Sequence, residues 1–356
     1  MSFINHFKEL EDGRTDINIR HDLLDVVFLT VTAMLSGAQG WKDIQLFGEA
    51  KLDWLRQHRR FDAGIPRRHT IARIISAIRP ESLLECFVGW VNEVRGVSGK
   101  RQIAIDGKTL RRSHPGDKGK ALHLLSVMVV ESGRVIYQRP SEGKKNEIRT
   151  VQQLLDILEL EGACVTLDAM HCQRETVKQI RRRSADYVIQ VKANQKQLHD
   201  EIQAFFHKTR RDEPQRIEAG RFETLDKGHG RIEQRCHVQL EATDWLDSAS
   251  CWEGLSSVIE VTRKVYTGER EREEKSYYIT SLSTDTASLA GKIRRHWHIE
   301  NGQHRVLDVT CGENDSRIRT GDAPQNMALF RRFVLNIARL SPLKESMKGK
   351  LKRAAW

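Results

Sequence analysis

Two stretches of this chain end in the same way, as a short apolar run that stops on an aspartate. Ile103-Ala104-Ile105 runs into Asp106 and Gly107, and Cys164-Val165-Thr166-Leu167 runs into Asp168. Runs this short, apolar and bounded by turn residues predict buried strands with a polar tip. The pattern around them is regular. Leu122 to Val130 and Val135 to Gln138 flank Glu131-Ser132-Gly133-Arg134, which predicts a hairpin. Helices are expected from about Asn146 to Leu160 and from about Gln173 to Arg183, and a last strand over Tyr187-Val188-Ile189-Gln190-Val191.

Strand, strand, strand, helix, strand, helix, strand is the order of an RNase H-like sheet, whose first strand lies beside its fourth. The expected fold class is therefore α/β, an RNase H-like mixed sheet flanked by helices. Two further regions frame it. Before residue 99 the periodicity is helical, with Leu23, Val26, Val27, Thr30 and Val31 on one stripe and Trp41 to Leu55 on another, and a basic stretch surrounds the breaker Gly64-Ile65-Pro66. From about Gln197 to Ser281 segments such as Val258-Ile259-Glu260-Val261 and Tyr277-Tyr278-Ile279-Thr280 alternate, which predicts a β-rich insertion. A helix from about Ala287 through Gln303 and a basic helical stretch from Pro324 to Leu340 follow. The expected domains are a helical domain over 1–98, the first part of the core over 99–196, the insertion over 197–284, and a C-terminal helical part over 285–356.

Composition narrows the partners. Among 356 residues, 59 Lys and Arg stand against 48 Asp and Glu, a net charge of +11, which favours a polyanion. At 39% hydrophobic and 30% charged, the chain has the composition of a folded soluble protein. The six cysteines are scattered without a C-x-x-C pair and read as reduced thiols, in keeping with a cytoplasmic location. The longest apolar stretch, Val26 to Ala38, is too short to span a membrane.

Neighbouring parallel strands that each end in Asp would set Asp106 and Asp168 side by side. They would repel unless a cation sat between them, and oxygen donors of this kind suit Mg²⁺ or Mn²⁺, with two ions as the expected arrangement. A third ligand should come from a helix packed on that edge. Glu300 is the candidate, in a helix that mixes basic, aromatic and carboxylate residues, with His296 and His304 four residues to either side. Those histidines could hold a phosphate, orient a carboxylate or pack. Taken singly, a strand-terminal Asp also serves as a cap and a helical Glu as a solvated charge. It is their occurrence together, in this order, that points to a site.

Basic residues fall near the carboxylates in sequence: Lys108, Arg111 and Arg112, then Lys144 and Lys145, Lys192, and Arg294 and Arg295. Backbone phosphates are the natural ligands of such a rim. Other chemistries find no support. His296, Glu300 and His304 lack the H-E-x-x-H spacing of a zinc hydrolase, and neither a P-loop nor a G-x-S-x-G is present.

Three motifs carry a resemblance: Ile105-Asp106-Gly107-Lys108-Thr109-Leu110-Arg111, Val165 to Gln173, and His296-Trp297-His298-Ile299-Glu300-Asn301 with His304 and Leu307-Asp308-Val309. With them the chain resembles the DDE transposases of bacterial insertion sequences, in the branch that includes the H-repeat-associated proteins of Rhs elements. The N-terminal helical segment resembles the associated domain of that branch, and Ser316-Arg317-Ile318-Arg319 with Ala323-Pro324-Gln325-Asn326 its C-terminal signature. Arg67-Arg68-His69-Thr70 stands where the branch has Ser-His-Asp-Thr, Cys311 and Asn314 replace Phe and Asp near Glu313, and His296 stands where the wider group has Arg.

The resemblance implies that Asp106, Asp168 and Glu300 form a metal-binding catalytic triad. It also implies a DNA endonuclease and strand-transfer activity that moves an insertion sequence, a homodimer on the DNA, and Arg317 and Arg319 among the DNA contacts. The rival expectations are an RNase H-like nuclease that cuts without joining and a silent remnant that only binds DNA.

Overall fold

A computed structural model describes residues 3–14, 19–95, 101–114, 121–143, 146–228, 230–242, 246–268 and 270–355. Helices come first: α1 (Phe3–Phe7), α2 (Leu23–Leu35), α3 (Trp41–Ala50), α4 (Leu52–Arg56), α5 (Arg68–Ser76) and α6 (Pro80–Arg95). The strands β1 (Gln102–Thr109), β2 (His123–Val129) and β3 (Val135–Ser141) follow, then α7 (Glu147–Ile157), β4 (Cys164–Leu167), α8 (Arg174–Arg182) and β5 (Asp186–Val191). After α9 (Lys196–Asp212) and α10 (Pro214–Ala219) come β6 (Arg221–Gly228), β7 (Arg231–Glu241), β8 (Ser257–Thr267) and β9 (Arg270–Thr280). The chain ends on α11 (Thr286–His296), a π-helical turn (Ile299–His304), α12 (Arg305–Val309), α13 (Ala323–Leu340) and α14 (Met347–Ala355).

The chain forms two compact bodies: Met1–Ser98, Gly107–Glu147 and Ile299–Trp356 make the first, and Gly99–Asp106 with Ile148–His298 the second. The helical segment 1–98 thus shares its body with two later stretches of chain. Within the second body β1 and β4 run parallel, as do β4 and β5, and β5 pairs antiparallel with β9. The hairpins β9-β8 and β7-β6 extend the sheet from there. Within the first body β2 and β3 form the expected hairpin, and the chain just past β1 bonds to that preceding β2 through Leu110 N and Leu122 O at 2.8 Å. Because β1 is one unbroken strand shared by both bodies, the strand order reads β3-β2-β1-β4-β5-β9-β8-β7-β6, a nine-stranded mixed sheet.

Local chemistry accounts for these elements. Asp22 caps α2, its side chain accepting from Asp25 N at 3.0 Å, and the helix behind the cap is buried almost all round. In β8 and β9 only the ends nearest β5 are buried, Val258, Ile259, Tyr277, Tyr278 and Ile279 among them, while the charged half from Arg270 to Lys275 is exposed. The insertion is not β-rich from its start, as the sequence predicted. Leu198, Ile202, Phe205, Phe206 and Thr209 bury one face of the 17-residue helix α9. Among the described residues no helix is long and apolar enough to cross a membrane.

Candidate active site

The register of β1 on β4 sets the geometry of the two aspartates. Gln102 faces Cys164, Ile103 faces Val165 and Ala104 faces Thr166. Two residues further along both strands come Asp106 and Asp168, and Asp168 keeps an extended backbone (φ −74°, ψ 173°) although β4 has ended. Parallel neighbours lie about 4.8 Å apart and partners project to the same face, so this register, continued by two residues, would make these carboxylates neighbours.

Asp168 is held from two sides. The turn that follows it, Ala169–His171, is pinned by Asn194 Nδ2 donating to Ala169 O at 2.7 Å and by Gln195 Nε2 donating to Cys172 O at 2.9 Å, both from the end of β5. Its Oδ1 is buried and accepts no hydrogen bond from the described residues, His171 Nε2 standing off at 3.7 Å, yet the carboxylate as a whole is 44% exposed. A buried carboxylate oxygen left without a donor is costly. A hard cation entering from solvent would satisfy it, and an all-oxygen donor set of Asp and Glu fits Mg²⁺ or Mn²⁺. Among the described residues no group of three or more His, Cys, Asp or Glu is already gathered around a metal position.

The helix α11 lies against β4 and β5 within the second body and ends beside Asp168. His296 Nδ1 meets Thr166 Oγ1 at 3.0 Å, and His296 and Trp297 help line a small recess that Asp168 also borders. Burial and the neighbouring His171, against an opposing backbone contact with Thr166, hold the His296 pKa at about 4, so the ring is neutral at pH 7. In this structure it is a hydrogen-bonding partner of β4, by its contact with Thr166. Glu300 belongs to the first body, where it is exposed on the π-helical turn, a geometry of wide, weakly bonded turns found at functional sites.

Around Gly107 the first body holds a buried polar cluster that sequence reading did not find. His123 Nε2 meets Glu147 Oε2 at 2.7 Å, and its Nδ1 meets Thr109 Oγ1 at 2.8 Å. Lys108 was expected to contact phosphate, but it is buried and paired with Asp308 and, at 2.9 Å, with Glu313 Oε2. Glu313 is also paired with the fully buried Arg332. Burial would raise the Glu313 pKa, but Arg332 and Lys108 outweigh it and hold it at about 2. Burial, helped by Arg332 and Lys108, pushes His304 down to about 3, so this ring too is neutral at pH 7. No local motif could have revealed the partners of Lys108, which lie about 200 residues away in the chain.

The remaining predicted cations divide by exposure. Arg111, Arg112, Arg317 and Arg319 are exposed in the first body, where Arg319 Nε donates to Arg112 O at 2.9 Å and Arg112 pairs with Asp315 at 3.2 Å. Lys192 and Arg294 are exposed in the second body, Arg294 paired with Asp226 at 2.9 Å, and Arg295 turns back to Gly291 O at 3.2 Å. Lys144 and Lys145 lie outside the described residues.

Comparison with known proteins agrees with the motifs. The transposase DDE domain model matches residues 97–337, and the model described as DDE_Tnp_1-associated matches residues 4–91. The H repeat-associated protein YhhI of Escherichia coli (strain K12) is 35% identical over 99% of this chain and 94% of its own length. YbfQ of the same strain, named an inactive transposase, is 44% identical over 20% of this chain and 87% of its own. Among solved structures, a piggyBac transposase synaptic complex with hairpin DNA aligns with a TM-score of 0.43 and 11% identity, over 99% of this chain and 75% of that one. With one domain model spanning most of the chain and a relative this similar along its whole length, the chain belongs to the DDE transposase family.

Proposed function

We propose that this chain cuts DNA at the ends of an insertion element and joins the freed ends to target DNA, using Asp106, Asp168 and Glu300 to hold Mg²⁺ or Mn²⁺, two ions in the working site. The observation that supports the reading is the parallel register of β1 on β4, which continued by two residues would bring Asp106 opposite Asp168, whose Oδ1 is buried without a donor among the described residues. The order β3-β2-β1-β4-β5, with β1 parallel to β4, supports an RNase H-like core, with the segment from α9 to β9 inserted ahead of α11. Glu300 rests on the family match, and only three residues of chain lie between it and His296, which bonds to β4.

Hydrolysis breaks one P–O bond at the element's end and leaves a 3′-hydroxyl. That hydroxyl then attacks a target phosphodiester, forming a new P–O bond as the target's own 3′-oxygen leaves and takes up the proton. Divalent ions bound at the carboxylates would neutralise charge at the reacting phosphate. The exposed Arg111, Arg112, Lys192, Arg294, Arg317 and Arg319 are proposed to grip backbone phosphates, and the helical segment 1–98 to recognise the element's ends. The working assembly is proposed to be a homodimer on DNA in the bacterial cytoplasm.

The test is Mg²⁺-dependent nicking of a plasmid carrying the coding region with its flanking DNA. Asp106→Asn is expected to lower nicking on the order of a hundredfold or more while DNA binding persists. Nicking at the wild-type rate would remove Asp106 from the site. A second reading, a silent DNA-binding remnant, is favoured by the likeness to the inactive YbfQ, and it predicts binding without nicking in the wild type. A nuclease that only cuts would nick without strand transfer.

A further inference from the structure

We infer that Arg339 is a positioning residue for Glu300, holding the π-helical turn by joining it to the β2-β3 hairpin. The inference rests on the reading of Glu300 as a metal ligand. A π-helical turn carries an extra residue per turn and is rare on its own, so a stable one calls for support from its surroundings. Here that support comes from α13. Arg339 Nη2 donates to the carbonyl of Gly302, two residues after Glu300, at 2.6 Å, and Nη1 donates to the carbonyl of Gly133 in the hairpin turn.

The hairpin end of this clamp is built to receive it. Gly133 has a φ of +66°, and a Cβ there would lie 3.2 Å from Arg339 Nε, so both the backbone and the guanidinium call for glycine. One turn earlier on α13, Asn336 takes both backbone groups of Val135, accepting from its N–H at 3.0 Å and donating to its carbonyl at 2.7 Å. The helix is thereby fixed to the hairpin, and Arg339 extends that fixed frame to the turn.

Among the described residues Arg339 forms no ion pair. A half-buried cation given only neutral carbonyls recovers little of its desolvation cost, so its contribution is geometric. The planar guanidinium can serve two carbonyls at a fixed angle, which a lysine ammonium on a flexible stem cannot do.

Mn²⁺ affinity of the full-length protein, followed by electron paramagnetic resonance, gives a readout separate from activity. Arg339→Gln is expected to weaken Mn²⁺ binding about tenfold or more, with nicking reduced in parallel and the melting temperature within a few degrees of wild type. Arg339→Lys is expected to fall between the two, and it decides the matter by the same titration if the Gln variant does not fold. Wild-type Mn²⁺ affinity in both variants, beside its loss in Asp106→Asn, overturns the role of Arg339 alone. Wild-type affinity and nicking in Asp106→Asn itself overturns the carboxylate site and this inference with it.

Discussion

Gly107 stands between Asp106, which the register sets against Asp168, and Lys108, which is tied into buried ion pairs. A Cβ at Gly107 would lie 2.6 Å from both Glu147 Oε1 and His123 Nε2, two buried groups bonded to each other. Gly107→Ala must therefore push that pair apart inside the core. The expected cost is about 3 kcal/mol, seen as a lower melting temperature, and an unchanged melting curve would sink this account. From sequence, Asp106 could be singled out because a polar residue ending an apolar strand is a local signal. The roles of Gly107 and Lys108 could not, because their partners Glu147, Asp308 and Glu313 come from distant segments that only folding brings near.

Among the elements, most strands and the β2-β3 hairpin were legible because short apolar runs, alternation and turn residues are local, whereas the pairing of β9 with β5 was not. Two elements were not. The helix α9 carries a clear helical spacing in Leu198, Ile202, Phe205 and Phe206, but it opens a region whose later strands dominate the pattern. The π-helical turn at Glu300 interrupts what reads as one continuous helix, since its wider period leaves no mark in six residues. The C-terminal signature gains a physical meaning at this scale. Asn326 of α13 is fully buried and donates from Nδ2 to the carbonyls of Ile75 and Ile78, each at 2.9 Å, at and just beyond the C-terminal end of α5. Helix ends leave carbonyls unpaired, and here another helix supplies the donor. Asn326→Ala should cost about 2 kcal/mol in denaturant unfolding by leaving both carbonyls buried and unbonded, and a variant as stable as wild type would contradict that role.

For the whole molecule, the buried ionisable groups make folding sensitive to acid. Burial, with the Arg235 charge adding to it and the Phe222 backbone opposing, holds His237 at about 4, and His304 sits at about 3, both below the ordinary 6.5. The unfolded chain takes up these two protons first, so stability falls as the pH drops below 6.5. Glu313, held at about 2 against an ordinary 4.5, adds stability that is complete above 4.5 and disappears as the pH falls towards 2. Between pH 6.5 and 5.5 these two histidines and His296, also held at about 4, should together remove about 3 kcal/mol of unfolding free energy, and a flat profile across that interval in chemical denaturation would refute the account.

The strand β1, shared by the two bodies, also sets a timetable. Ribosomes deliver the chain from its N-terminus, and a body can close only when its last segment has emerged. The second body ends at His298, whereas the first, which holds the N-terminus, waits for the stretch from Ile299 to Trp356. The first body to begin is therefore the last to finish. A nascent chain halted near residue 330 would carry both aspartates and Glu300, but neither Asn336 nor Arg339 to fix the turn on which Glu300 stands.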